Sequence, residues 1–168
     1  MTLKAFLPLG LAYGFLGVTA VTLVDSHQPP VIINETASMA KGAYLRTGDA
    51  SCPRIGDIVA LPMNEQARAY LAGQLGYPAE TILIKRVVAV AGDRVCHTGN
   101  TTTARDTTLP VRSTDSQGNS LPVWSGCRTL APGEVFLAGD APGSFDGRHL
   151  GPTPTNALIG QYREALTW

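Results

Sequence analysis

The chain has 168 residues, 44% of them apolar, which is enough for one hydrophobic core and too few for two full domains. Lys and Arg number 13, as do Asp and Glu, and no basic cluster stands out that could neutralise a row of phosphates, so nucleic acid is not expected as a partner. There is no CxxC pair, HExxH helix or histidine cluster, so neither a metal site nor a cofactor is expected.

In chain order, the run from Ala5 to Val24 carries no charge and is about as long as a bilayer core is thick, which predicts a membrane helix. Lys4 precedes it and Asp25 follows, a bias that places the amino terminus in the cytoplasm and the remainder outside. A cleaved signal peptide and a buried helix are the competing readings. Residues 1–25 are thus expected to form an anchor or signal segment and residues 26–168 a single exported domain. After a proline-containing spacer, Val31 to Ile33 reads as the first strand, and Ile55 to Pro62 as a strand entered through a Gly-Asp turn and stopped by proline. Asn64 can cap a helix with Ala67, Tyr70 and Leu71 on one face, ending at Gly76 before Pro78.

Thr81 to Asp93 is rich in β-branched residues and ends in another Gly-Asp turn, so a long buried strand is expected, with a second helix as the alternative. Gly99 to Gln117 turns to Thr, Ser, Asp and Asn with little periodicity, which reads as loops or a hairpin on the rim, away from any chemistry. EVFLAGD and ALIGQYREAL supply two further strands. Three cysteines in an exported domain allow one bridge. Cys96 and Cys127 lie in strand-like stretches flanking the polar excursion and are the expected pair, leaving Cys52 free beside Pro53.

Three separated segments carry candidate chemistry: Asn34 to Tyr44, ILIKRVVAVAGD, and Leu137 to Gly151. In this order, behind an apolar segment, they resemble the boxes of type I signal peptidases, and more closely those of the TraF branch of conjugation-associated maturation peptidases. Asn34, Thr36, Ser38, Gly42 and Tyr44 fit the branch's Asn-x-Thr-x-Ser pattern followed by Gly-x-Tyr. Two positions depart from it. Met39, Ala40 and Lys41 stand where a proline usually follows the nucleophile, and Gly147 stands where many relatives carry serine.

A Ser/Lys dyad has a physical rationale of its own. A serine hydroxyl is a poor nucleophile at neutral pH, and a lysine can accept its proton only if the ammonium form is destabilised, as burial does. Alternation along a strand would put Leu83, Lys85, Val87 and Ala89 on one face, with Lys85 in an apolar row. From the strand alone, a lysine that snorkels to water is the simpler reading, and Ser38 alone reads as a turn hydroxyl.

The resemblance reverses both readings. It implies Ser38 as nucleophile, Lys85 as general base, and an oxyanion hole built from the Ser38 N–H and the Thr36 hydroxyl. It further implies that Ser144 orients the lysine while Asp146 and Arg148 brace that wall. A Ser-His-Asp triad is the weaker alternative, since His27, His97 and His149 each read as polar surface residues.

The expectation is therefore a mainly β, antiparallel signal-peptidase-type domain with one or two short helices behind an N-terminal transmembrane helix. It would act on the periplasmic face of the bacterial inner membrane upon an exported preprotein, most closely a conjugative pilin that is trimmed and in some cases cyclised. A general type I signal peptidase, a non-catalytic pilus assembly factor and a self-cleaving repressor are the alternatives, and the last normally carries a DNA-binding helix where this chain has its apolar segment.

Overall fold

Strand-forming segments dominate the computed structural model, which describes residues 28–168; the expected anchor and His27 lie outside the described residues. In chain order the strands are β1 (Val31–Asn34), β2 (Gly42–Gly48) and β3 (Ile58–Pro62), then helix α1 (Glu65–Leu71). They continue as β4 (Ile82–Val90), β5 (Arg94–Thr98), β6 (Thr101–Ala104), β7 (Thr107–Pro110), β8 (Cys127–Thr129) and β9 (Glu134–Ala138). A short helix α2 (Gly147–Leu150), β10 (Thr153–Pro154), a 3-10 turn and β11 (Gly160–Thr167) complete the chain. Among the described residues no helix is long and apolar enough to cross a membrane.

The strands form two antiparallel sheets, of order β1-β2-β11-β3-β4-β9-β10 and β7-β6-β5-β8. The fold is thus mainly antiparallel β with two short helices, as expected. Alternation along β3 and β4 sends Ile58, Ala60 and Ile84 to one side of the large sheet, packed with Met39, Tyr44 and Tyr162. Val59 and Val87 go to the other side, with Val135 and Leu137. The two sheets meet over Ala89, Val95, Ala104, Leu130 and Phe136.

Two expectations need correction. The apolar row of β4 is broken at Val88, where the pairing slips from Val87 opposite Leu137 to Ala89 opposite Phe136. Leu137 and Phe136 are neighbours on a pleated strand and face opposite ways, so Val87 and Ala89 do too. The face containing Lys85 ends at Val87, and the bulge turns Ala89 into the contact with the small sheet. The helix is also shorter than expected. Asn64 caps α1, its side chain accepting from the Ala67 N–H, and Ala67, Tyr70 and Leu71 are buried. Past Leu71 the N–H groups of Gly73 and Leu75 reach five residues back, to Arg68 and Tyr70, and the chain leaves the helix before Gly76, whose φ is +72°.

The polar excursion is a hairpin, β6 and β7, turned at Arg105 with φ of +51°. Cys96 and Cys127 lie opposite one another on β5 and β8 and are disulfide-bonded, while Cys52 is free and exposed.

Candidate active site

The loop 35–41 closes the antiparallel pair β1–β2, whose last partners are Asn34 and Gly42. Lacking the expected proline, it is held by side chains. Asn34, buried at the end of β1, sends its amide nitrogen to the carbonyl oxygens of Thr36, Met39 and Ala40 at 3.0, 3.2 and 3.0 Å. The Tyr44 hydroxyl donates to the same Ala40 carbonyl at 2.7 Å, and the Met39 side chain is sunk in the core below. At the far end, Gly42 (φ +154°) lies so close to the Leu166 carbonyl that no Cβ could be accommodated. The loop thus acquires from hydrogen bonds and packing the rigidity that a proline ring supplies covalently.

Ser38 is brought by this loop over β4. Lys85, only 5% exposed, places Nζ 3.2 Å from Ser38 Oγ. Removal from water is the largest influence on the lysine and lowers its pKa to about 8; Asp146 and Asp140 pull it upward and Arg148 downward. Thr36 Oγ1 is 3.0 Å from Ser38 Oγ and donates to the Asn34 side-chain amide oxygen, Oδ1, at 2.8 Å. Serine, lysine and threonine, more than 40 residues apart at the extremes, therefore form one contiguous cluster.

The wall behind the lysine is built from β9 and the chain leading into α2. Gly139 follows β9, and a Cβ there would collide with the Ser144 side chain and come within 2.6 Å of the Ser38 carbonyl oxygen. Ser144 is buried, but its hydroxyl has no hydrogen-bond partner among the described residues, so the expected bond to Lys85 is not made. Asp146 caps α2: its carboxylate accepts from Gly139 N at 2.7 Å and Arg148 N at 3.1 Å, and from the Arg148 guanidinium at 2.6 and 2.8 Å. Arg148 fills its remaining donor positions with the carbonyls of Pro110, Ala141 and Pro142, so the buried pair is fully bonded.

Some participants were not visible in the sequence. His149, expected at the surface, is buried: its Nδ1 takes the Asp146 N–H at 3.4 Å, its Nε2 meets the Arg112 carbonyl at 3.2 Å, and its ring stacks on Phe145. The end of β7 and the residues just after it, expected to lie apart from the chemistry, supply the Pro110 and Arg112 carbonyls that complete this wall. Arg86, next to Lys85, makes two 2.8 Å bonds to Asp140, whose carboxyl is held below its ordinary pKa by that guanidinium. The His97 ring meets the Thr102 hydroxyl at 3.2 Å, and among the described residues no group of His, Cys, Asp and Glu could hold a metal.

A serine hydroxyl 3.2 Å from a buried lysine amine, within an antiparallel β domain, is an arrangement in which a neutral lysine could take the serine's proton. The sequence profile described as "Signal peptidase, peptidase S26" matches residues 2–168, and the chain belongs to that family. It is 31% identical over 169 residues to the plasmid transfer protein TraF of Escherichia coli, covering 98% of this chain and 90% of that protein. The conjugal transfer protein TraF of Agrobacterium fabrum is 30% identical over 165 residues, covering 90% of this chain and 89% of that one. A signal peptidase I crystal structure from Enterococcus faecalis aligns at 18% identity with a TM-score of 0.38, over 65% of this chain and 95% of that chain.

Proposed function

We propose that the protein is a serine endopeptidase in which Ser38 attacks a peptide carbonyl and Lys85 serves as general base. The observation that carries this reading is the 3.2 Å approach of Lys85 Nζ to Ser38 Oγ, with the lysine almost wholly removed from water. In its neutral form Nζ takes the Ser38 proton as Oγ bonds to the carbonyl carbon, and the resulting ammonium returns that proton to the leaving amine as the peptide bond breaks. The Ser38 N–H and the Thr36 hydroxyl receive the negative charge on the carbonyl oxygen. The acyl group is then released to water, giving a trimmed product, or to the substrate's own amino terminus, which forms a new peptide bond and a ring.

The substrate in this reading is an exported conjugative pilin subunit, processed at the periplasmic face of the inner membrane. The likeness to two conjugal transfer proteins supports the substrate class. A membrane-surface location is supported by the large apolar side chains of Val31 and Ile33 on β1, Leu166 on β11 and Trp168 just after it, all exposed; the Trp168 N–H itself bonds the Lys41 carbonyl of the nucleophile loop.

The test is the intact mass of the pilin subunit from cells carrying the wild-type protein or Ser38→Ala. A shortened mass seen only with the wild type supports hydrolysis, and a further loss of one water identifies ring closure. Equal masses in both strains would refute the pilin assignment, and failure of a penem acylating agent to label Ser38 would refute the catalytic one.

A further inference from the structure

The hydroxyls around Ser38 form a hydrogen-bond chain whose direction is set at its far end. The Asn34 side-chain atom that faces the three carbonyl oxygens of Thr36, Met39 and Ala40 must be the nitrogen, because carbonyls only accept. Its other terminal atom is therefore the amide oxygen, which also only accepts, so the Thr36 hydroxyl donates its single proton to it at 2.8 Å. Thr36 Oγ1 can then only accept at its 3.0 Å contact with Ser38 Oγ, which makes Ser38 the donor there and leaves its oxygen to accept from Lys85 Nζ at 3.2 Å. The resting chain runs from Lys85 to Ser38 to Thr36 to Asn34.

We propose that Asn34 is a positioning residue that holds the Thr36 hydroxyl proton away from Ser38, keeping the attacking oxygen free of a second donor. The inference rests on the reading of Ser38 as nucleophile. Before attack, only the Ser38 hydroxyl has to rotate, from Thr36 Oγ1 to the neutral Lys85 nitrogen, while Thr36 stays directed at Asn34. Thr36 then turns from Asn34 to the carbonyl oxygen as charge develops on it. Without the Asn34 oxygen, the acceptor nearest to the Thr36 hydroxyl is Ser38 Oγ itself. A bond donated there would occupy the lone pair used for attack and oppose the rotation toward the lysine.

The experiment is a double-mutant cycle on the full chain in detergent. It measures the rate at which a penem acylating agent adds mass at Ser38, with Ser38→Ala as control and thermal melting to show that each variant is folded. Asn34→Ala removes the loop bonds in either background, so the readout is the difference: acylation is expected to slow at least about tenfold more when Thr36 is present than in the Thr36→Val background, where no hydroxyl can be misdirected. A purely structural staple would move both backgrounds equally, and equal losses overturn the proposal. Should Asn34→Ala not fold, Asn34→Leu, which is close to asparagine in size and has no acceptor for the Thr36 hydroxyl, enters the same cycle with the same criterion. A wild-type chain that is not acylated at Ser38 overturns the nucleophile reading and this inference with it, whereas acylation with equal losses overturns this inference alone.

Discussion

Replacing Lys85 by methionine should make the protein more stable, and the gain should depend on pH. The lysine is 5% exposed, and burial lowers its pKa from an ordinary 10.5 to about 8. Below pH 8 both folded and unfolded states carry the ammonium, and the folded state bears the full cost of burying it. Between about 8 and 10.5 the unfolded state binds more protons, so stability rises with pH; above 10.5 the cost is gone. The difference between 10.5 and about 8 corresponds to about 3 kcal/mol at ~1.4 kcal/mol per pH unit. Methionine nearly matches the lysine stem in volume and needs no water. At pH 7 Lys85→Met should therefore unfold at a temperature higher by on the order of 10 °C. Melting of both proteins from pH 7 to 10.5 measures the difference, in which all other titrations cancel. A gap that stays constant over this range, or a less stable variant at pH 7, would refute the claim that the lysine is held below its ordinary pKa by burial.

Acylation of Ser38 by a penem should rise about tenfold per pH unit up to about pH 8 and then level, following the neutral lysine; a flat profile with chemistry limiting would exclude Lys85 as base. Arg148→Met should cost about 3–5 kcal/mol in thermal or urea unfolding, because it strands the Asp146 carboxylate in the interior, and Asp146→Asn added to it should recover part of the loss. Removing the disulfide with Cys96→Ser and Cys127→Ser should cost up to about 4 kcal/mol for a bridge spanning 31 residues, yet leave acylation of the folded protein within about twofold, since the bridge lies in the other sheet. Gly139→Ala should reduce acylation more than about a hundredfold, measured on folded protein, because the added methyl would displace Ser144 and the Ser38 carbonyl.

What the sequence revealed was whatever depends on local pattern. Val31 to Ile33, the Gly-Asp turn before β3, the Asn64 cap and the β-branched run of β4 each encode their element within a few residues, and each element is present. The segments around Ser38 and Lys85 were also legible, because they match a family pattern. Features that depend on distant parts of the chain were not. Helix α2 has four residues, too few for an apolar period, and owes its existence to the Asp146–His149 capping box and to Arg148, whose carbonyl partners lie on two other segments, at Pro110 and at Ala141–Pro142. His149 reads as a surface residue until the Arg112 carbonyl and the Phe145 ring are brought to it. Nothing in a run of alternating apolar residues announces the bulge at Val88, because a bulge is a property of two strands paired out of step.

The electrostatics show how so polar a wall can surround a lysine whose pKa is lowered to about 8. Two carboxylates, Asp146 and Asp140, lie close enough to pull the Lys85 pKa upward, and unopposed they would favour the ammonium. Each is engaged by an arginine with two hydrogen bonds: Asp146 by Arg148 in the interior and Asp140 by Arg86 at the surface. Arg148 also acts on the lysine directly and lowers its pKa. The arginines therefore contribute more than architecture. Desolvation outweighs the upward pull of both acids on Lys85, and a lysine governed by desolvation is one that can accept a proton near neutral pH.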